Sequence, residues 1–242
     1  MFWKHQVAGL MLCSFCSVCP ALGIDKVFGE LDVARGFKSV TAFSVFNDRN
    51  QEIFVTSKGL SWDMDRSGQI TTAPSNDLEI FPPALRVMPG DSATFKIRYI
   101  GNSMEGEGQY RVMFNEVLIP EHKKANDKLE NIKTGGSNVG IGISITVPVY
   151  VSDLSKQERI FEGVTASYKQ NGRKLSLLVK NVGGHHISIR ECSVNGTPMP
   201  ELGIVLSHHD RLFVLETTDT VSSVVLKLAY RDKTKDVSAL RE

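Results

Sequence analysis

Apolar and polar residues alternate with a period of two along much of this chain. Segment 92–100 shows this pattern, and segments 174–181 and 224–231 repeat it. Such alternation predicts half-buried β-strands. Turn-forming clusters rich in Gly, Asn, Asp and Pro separate the apolar segments, at 47–51, 65–69, 88–91, 169–174 and 194–198. No long amphipathic helix stands out, so the pattern predicts antiparallel β-sandwiches.

A polar segment, residues 152–161, divides the chain into two parts that each suit a small domain. We expect the first domain to span residues 24–151 and the second to span residues 158–242. Both sizes fit a seven-stranded immunoglobulin-like sandwich. The sequence therefore predicts an all-β protein made of two immunoglobulin-like β-sandwich domains.

Segment 139–151 is long and one-sided. Its odd-numbered residues are all β-branched, whereas its even-numbered residues are small apart from Pro148 and Tyr150. We call the odd-numbered residues the apolar row: Val139, Ile141, Ile143, Ile145, Val147, Val149 and Val151. Pro148 lacks an amide hydrogen, so we expect a sheet edge there. The row is either an ordinary core face or an exposed edge that pairs with a partner. Proteins normally blunt exposed apolar edges, so an edge kept apolar would indicate a binding partner.

The first 23 residues have the pattern of a secretory signal peptide. Lys4 precedes an apolar stretch at 7–18 that is too short to span a bilayer, and small residues precede a cut near Gly23. Without residues 1–23, which contain one lysine and no acidic residue, basic and acidic residues number 27 each. This balance favours neither nucleic acid nor a membrane as partner. Only Cys192 remains, so no intrachain disulfide is expected.

Two histidine pairs, at 185–186 and 208–209, are the candidates for a metal site. No carboxylate or thiol shows ligand spacing beside them, so we favour loop histidines and predict no metal. Cys192 is expected to be a small buried hydrophobe. No nucleophile motif, phosphate loop or zinc spacing is visible, so the sequence predicts neither an enzyme nor a cofactor.

Three consecutive segments resemble the periplasmic chaperones of the chaperone–usher pathway, which assemble fimbriae. Residues 80–101 contain paired prolines, an arginine, Pro-Gly and a strand that ends in a basic residue. Residues 108–120 resemble the next strand of that family, which closes with Ile-Pro. The apolar row falls where the family places the strand that it lends to subunits. The pair Tyr110-Arg111 is closer to the alternative and archaic branches, and the resemblance is good over residues 78–151.

The resemblance implies a periplasmic protein whose two domains are arranged as an L. It implies that the chain binds fimbrial (pilin) subunits by donor-strand complementation and delivers them to an outer-membrane usher. The lent strand would fill the subunit groove with Val139, Ile141, Ile143, Ile145, Val147 and Val149. No cofactor and no membrane insertion are implied. A dimer in which the free protein caps its own donor strand is left open.

The family also holds the terminal carboxylate of the subunit with basic residues between the two domains. Its best-known branch uses an early arginine and a lysine near the end of the lent strand. Here Ser144, Thr146 and Tyr150 stand where the lysine is expected. Arg111 is our first candidate, because its strand is expected to pair antiparallel to the lent strand and to begin beside the cleft.

Arg35 resembles the early arginine of the family and is our second candidate for the carboxylate anchor. Arginine can hold a carboxylate through two parallel hydrogen bonds. An ordinary solvated arginine is the alternative for either position. Two other functions also stay open: a two-domain extracellular adhesin or binding module, and a periplasmic metal-handling protein that uses the histidine pairs.

Overall fold

The computed structural model describes residues 22–102, 106–117, 142–155 and 159–242, and β-strands dominate these residues. Within the described residues, the first part of the chain has a 3-10 segment, Val33–Lys38, which is kinked at Gly36. Its strands are β1 (Leu22–Ile24), β2 (Gly29–Asp32), β3 (Thr41–Asn47), β4 (Ile53–Met64), β5 (Ile70–Pro74), β6 (Leu78–Phe81), β7 (Ala84–Val87), β8 (Ser92–Tyr99), β9 (Gly108–Val117) and β10 (Ser144–Ser152).

The remaining strands belong to the second part of the chain. They are β11 (Val164–Asn171), β12 (Lys174–Asn181), β13 (Ile187–Val194), β14 (Thr197–Pro198), β15 (Gly203–Val205), β16 (His209–Glu216), β17 (Val224–Tyr230), β18 (Lys233–Ser238) and β19 (Leu240–Arg241). The strands predicted at 92–100, 174–181 and 224–231 correspond to β8, β12 and β17, so period-two alternation located them correctly.

Strands β1 to β10 form two sheets that enclose one core. The strand order is β1-β3-β8-β6 in one sheet and β2-β10-β9-β4-β5 in the other, with β7 also paired to β4. All these pairs are antiparallel except β2 with β10, which is parallel. Phe43, Phe95 and Phe114 are fully buried between the two sheets. Their rings contact one another at centroid distances of 5.1 and 5.9 Å.

Strands β11 to β19 form a second pair of sheets around a second core. Their orders are β16-β12-β11-β19 and β14-β13-β17-β18, with β15 paired to β13. Leu175, Leu177 and Leu226 are fully buried in this core. The prediction of an all-β chain with two sandwiches is therefore confirmed. The proposed boundaries at 151 and 158 remain a prediction, although strand β10 ends at Ser152 and β11 begins at Val164.

The predicted signal peptide lies outside the described residues, except for its last two positions. Leu22 and Gly23 belong to β1, which pairs with β3, and Leu22 is buried in the first core. A cut after Gly23 would remove this buried leucine, so a cut before Leu22 fits the fold better. None of the helices among residues 22–102, 106–117, 142–155 and 159–242 has the length and apolar character needed to cross a membrane.

Candidate functional site

Strand β10 has an open edge along its N-terminal half. Strand β9 pairs with it from Ser144 to Val151, whereas β2 pairs with its other side only from Val149 to Ser152. Among the described residues, 144–148 therefore have a neighbouring strand on one side alone. Pro148 falls in this half, which confirms the sheet edge expected from its missing amide hydrogen.

The apolar row does not lie in a single environment. Val147, Val149 and Val151 are buried in the first core, with at most 4% of their surface exposed. Ile143 and Ile145 are only partly buried and pack against the end of that core. This corrects the assignment of Val147 and Val149 to a partner, because they already fill the protein's own interior. Val139 and Ile141 lie outside the described residues.

Two exposed apolar side chains precede strand β2. Val27 is 78% exposed and Phe28 is 48% exposed. They lie directly before Gly29, which is aligned with Val149 of β10. Strand β2 runs parallel to β10. Val27 and Phe28 precede β2 and therefore lie toward the N-terminal half of β10, where the edge is open. Sequence analysis missed them because two apolar residues in a polar segment form no recognisable pattern.

A buried ion pair lies where β10 begins. The Oε2 atom of Glu116 is 2.8 Å from Nη2 of Arg49 and accepts a hydrogen bond of 3.2 Å from the amide of Ile143. The amide of Glu116 donates in turn to the carbonyl of Ile143, at 2.9 Å. The Glu116 side chain is fully buried, and that of Arg49 is 17% exposed. Neither residue was singled out from the sequence.

Arg111 lies on β9, opposite Leu60 of β4 and Pro148 of β10. Its guanidinium stacks on the Trp62 ring, with Cζ 4.4 Å from the ring centroid. Its Nε is buried and has no hydrogen-bond partner. Burial lowers the pKa of Arg111 from its ordinary value, but an arginine stays protonated at any physiological pH. The side chain is therefore a half-buried cation with an unused donor.

A cleft of about 560 Å³ lies beside this stack. Its lining includes Trp62 and Tyr110 from the first domain and His209 from the second. The indole Nε1 of Trp62 is also buried without a hydrogen-bond partner. Buried donors are normally satisfied, and these two have no partner although the protein covers both atoms. Trp62 lines the cleft, and the guanidinium stacked on it carries the charge that could pair with an anion such as a carboxylate.

Arg35 belongs to the 3-10 helix Val33–Lys38 and is exposed. This helix follows directly after β2. Arg35 therefore sits on a surface element, whereas Arg111 is fixed by a strand and by Trp62. Of the two sequence-based anchor candidates, only Arg111 is held in a defined environment.

One histidine of each pair, His186 and His209, contacts the first domain. His186 lies with Nδ1 2.7 Å from Oε1 of Glu107, which also accepts the His186 amide at 3.1 Å. The His186 ring stacks on Tyr150 at a centroid distance of 3.9 Å. His209 contacts the Oδ1 of Asp63 through Nε2, at 2.6 Å. Within the described parts of the chain, no group of three or more His, Cys, Asp or Glu side chains could hold a metal ion.

A hairpin made of β4 and β5 reaches the second domain. Arg66 lies in the turn of this hairpin, and its carbonyl accepts a 2.8 Å hydrogen bond from the amide of Leu212. Arg66 also forms an ion pair with Asp210 at 3.3 Å. A small apolar cluster lies beneath the hairpin and contains Trp62, Met64, Tyr150 and Leu206. The domains therefore meet through backbone, charged and apolar contacts together.

Comparison with known proteins gives no match by sequence: no family model and no curated protein matches this chain. Solved structures match it in fold. One is a chain from the crystal structure of the CsuC–CsuE chaperone–tip adhesion subunit pre-assembly complex of archaic chaperone-usher Csu pili of Acinetobacter baumannii. It has a TM-score of 0.64 and 13% identity, and the match covers 92% of this chain and 99% of that one.

Two further structures cover 92% of this chain and 97% of their own. The Escherichia coli chaperone DraB has a TM-score of 0.59 and 18% identity. The structure of the Salmonella enterica SafA pilin in complex with the SafB chaperone gives 0.59 and 15%. This chain has the fold of the pilus chaperones. The expectation of two immunoglobulin-like domains is thereby confirmed.

Within this fold, sequence analysis singled out strand β10 and Arg111, but it did not single out the residues that contact them. Trp62, Glu107 and Glu116 each lie on or beside a strand, where single residues carry no motif. A glutamate that follows Tyr110, Val112 and Phe114 with the same parity was a usable signal, because alternation predicts a buried side chain at Glu116.

Proposed function

We propose that this protein is a periplasmic chaperone that binds fimbrial subunits by lending them a strand. The observation that carries the proposal is the open edge of β10 at residues 144–148. This edge contains the partly buried Ile145, and the partly buried Ile143 directly precedes it. The fold supports it, since similar structures were solved as complexes of a chaperone with a tip subunit or a pilin.

The open edge is suited to receive another strand. Its unpaired backbone groups would bond to a subunit strand, and alternate side chains would enter the subunit groove. Ile143 and Ile145 supply these side chains, preceded by Val139 and Ile141 in the sequence. Val147 and Val149 anchor the same strand in the chaperone's own core, which holds the lent part in place before binding. Such preorganisation lowers the entropic cost of association.

We assign the subunit's terminal carboxylate to Arg111, with Arg35 as a secondary candidate. Arg111 is a half-buried cation stacked on Trp62, which lines the cleft, and charge-assisted hydrogen bonds between arginine and a carboxylate are strong. The lent strand and the terminal carboxylate would then be bound at opposite ends of β10. Val27 and Phe28 would contact the subunit beside the open edge.

Export through the N-terminal signal, a periplasmic location and delivery to an outer-membrane usher belong to the same proposal. The activity is binding, without chemistry on the subunit and without a cofactor. In the absence of a subunit, the open edge is free to pair with a second copy of the chain, which light scattering of the purified protein would detect as a dimer.

Co-expression with a candidate fimbrial subunit tests the proposal. We expect the periplasmic fraction to contain a one-to-one complex of the two chains, and the subunit alone to be degraded or aggregated. Mass spectrometry of the recovered chaperone also locates its N-terminus, which we expect at Leu22 or before. A folded protein that reaches the periplasm and captures no subunit in any co-expression would refute the chaperone proposal.

A further inference from the structure

Glu116 occupies a position where the alternation of β9 requires an apolar side chain. Tyr110, Val112 and Phe114 face the first core with the same parity, and Glu116 continues their line. Its side chain is fully buried. A buried ion pair is often no more stabilising than apolar residues of the same size. A carboxylate at this position therefore points to a role that an apolar residue could not fill.

The contacts of Glu116 show what that role is. Arg49 reaches the Glu116 carboxylate from the turn between β3 and β4. The Asn47 side chain stabilises this turn by accepting a hydrogen bond of 3.0 Å from the Arg49 amide. The carboxylate then takes the Ile143 amide, while the Glu116 backbone donates to the Ile143 carbonyl. A regular antiparallel ladder uses backbone groups alone. Here a side chain takes the last amide, and β10 begins at the next residue, Ser144.

The pair lies beside the two partly buried isoleucines of the apolar row. Ile145 is aligned with Phe114 on the neighbouring strand, and Phe114 is fully buried. Ile143 instead meets Glu116, whose carboxylate is paired with Arg49. Both isoleucines are only partly buried against the core, so each can still gain free energy by burying apolar surface in a groove.

We infer that Glu116, held by Arg49, is a positioning residue that fixes Ile143 at the start of β10 and so holds Ile143 and Ile145 in register for a subunit. This rests on the proposed function of β10. The alternating pattern of the sequence does not show where β10 begins.

Two double variants test the inference. Arg49→Met with Glu116→Gln removes both charges but keeps a side-chain oxygen that can accept the Ile143 amide. Arg49→Met with Glu116→Leu removes the charges and the acceptor, with Glu116→Val as substitute should leucine not fit. We expect the Ile143 amide to exchange with solvent on the order of tenfold faster in the leucine variant than in the glutamine variant. Thermal melting should show both variants folded.

Subunit capture is the second measurement. We expect the leucine variant to bind the subunit more weakly than the glutamine variant, because its lent segment is no longer held in register. Equal amide exchange in the two variants overturns the positioning role. Faster exchange with unchanged capture overturns its link to lending. If exchange differs as expected but the unaltered protein also binds no subunit, the positioning role stands and the proposed function fails.

Discussion

A half-buried arginine stacked on a tryptophan is the residue-scale feature that best fits ligand binding. Arg111 combines a permanent charge with a buried Nε that has no partner. Desolvated charges bind an opposite charge strongly, and the loss of one partner typically costs about 2–5 kcal/mol. Arg111 could be nominated from the sequence because it lies on the strand beside the apolar row, but Trp62 could not, since the two are distant in sequence.

We expect Arg111→Ala to lower subunit capture by an order of magnitude or more while the protein stays folded. Arg111→Lys should rescue capture only in part, because lysine lacks the two-pronged geometry. Arg35→Ala is the matched control at an exposed position and should have a smaller effect. Pull-down of the subunit together with thermal melting checks all three. Full capture by a folded Arg111→Ala variant would contradict the anchor assignment.

His185 gives the protein an expected pH dependence. Burial lowers its pKa below the ordinary value of 6.5, and the nearby charges of His186 and Arg231 act in the same direction, whereas Glu107 and Asp153 oppose them. The unfolded chain therefore binds a proton at a higher pH than the folded one. As pH falls from 6.5 toward the lowered pKa, the unfolded state is favoured and stability decreases.

The variant His185→Phe isolates this contribution. The His185 ring contacts the Tyr230 ring edge-on at a centroid distance of 5.2 Å. Phenylalanine can retain this contact, and it cannot be protonated. We expect the variant to lose less stability than the unaltered protein between pH 7 and about pH 5. Urea unfolding at several pH values measures the difference. Parallel stability curves for the two proteins would rule out His185 as the titrating group.

At the scale of an element, strand β10 shows both the reach and the limit of sequence analysis. Period-two alternation identified the strand and its apolar side correctly, because that pattern follows directly from the pleat of a strand. It could not tell which members of the row are buried, since this depends on where the facing sheet ends. The row passes from the enclosed core at Val149 to its margin at Ile143 within six positions along the chain.

This difference predicts opposite outcomes for one substitution at two positions. Val149→Asn places an unpaired amide in a fully buried site, which should destabilise the domain severely. Ile143→Asn should leave the protein folded, because the side chain is only partly buried, but it should abolish subunit binding by carrying a polar group into an apolar groove. Thermal melting and subunit pull-down of both variants separate these outcomes. A folded Ile143→Asn variant with normal binding would disprove the lending of this residue.

At the scale of the whole molecule, the junction contains contacts of unequal strength. Glu107 is fully buried as a side chain and holds both the ring and the amide of His186. The ion pair of Arg66 with Asp210 is largely exposed. Exposed pairs contribute little to stability, about 0–1 kcal/mol. The sequence indicated two domains from a polar segment, but it could not show this junction. The contacts of Glu107 with His186 and of Asp63 with His209 join residues that are 79 and 146 positions apart in the chain.

Glu107→Ala should therefore loosen the junction and lower stability, by about 1.5–3 kcal/mol as for hydrogen bonds to charged groups. Arg66→Ala, the exposed control, should change stability by no more than about 0.5 kcal/mol. Urea unfolding measures stability, and residual dipolar couplings in solution measure the relative orientation of the domains. Equal effects of the two variants would show that burial does not set the strength of this junction.

The position of Trp62 has a practical consequence for optical spectroscopy. The chain has two tryptophans, and the other, Trp3, lies in the predicted signal peptide. An exported protein would thus carry a single indole fluorophore, stacked under Arg111 and 6.4 Å from the Tyr150 ring. Its emission should respond when a carboxylate displaces water from that guanidinium. A tryptophan-free peptide with the subunit's C-terminal sequence could then be titrated without any label, and the same titration of Arg111→Ala would give the background.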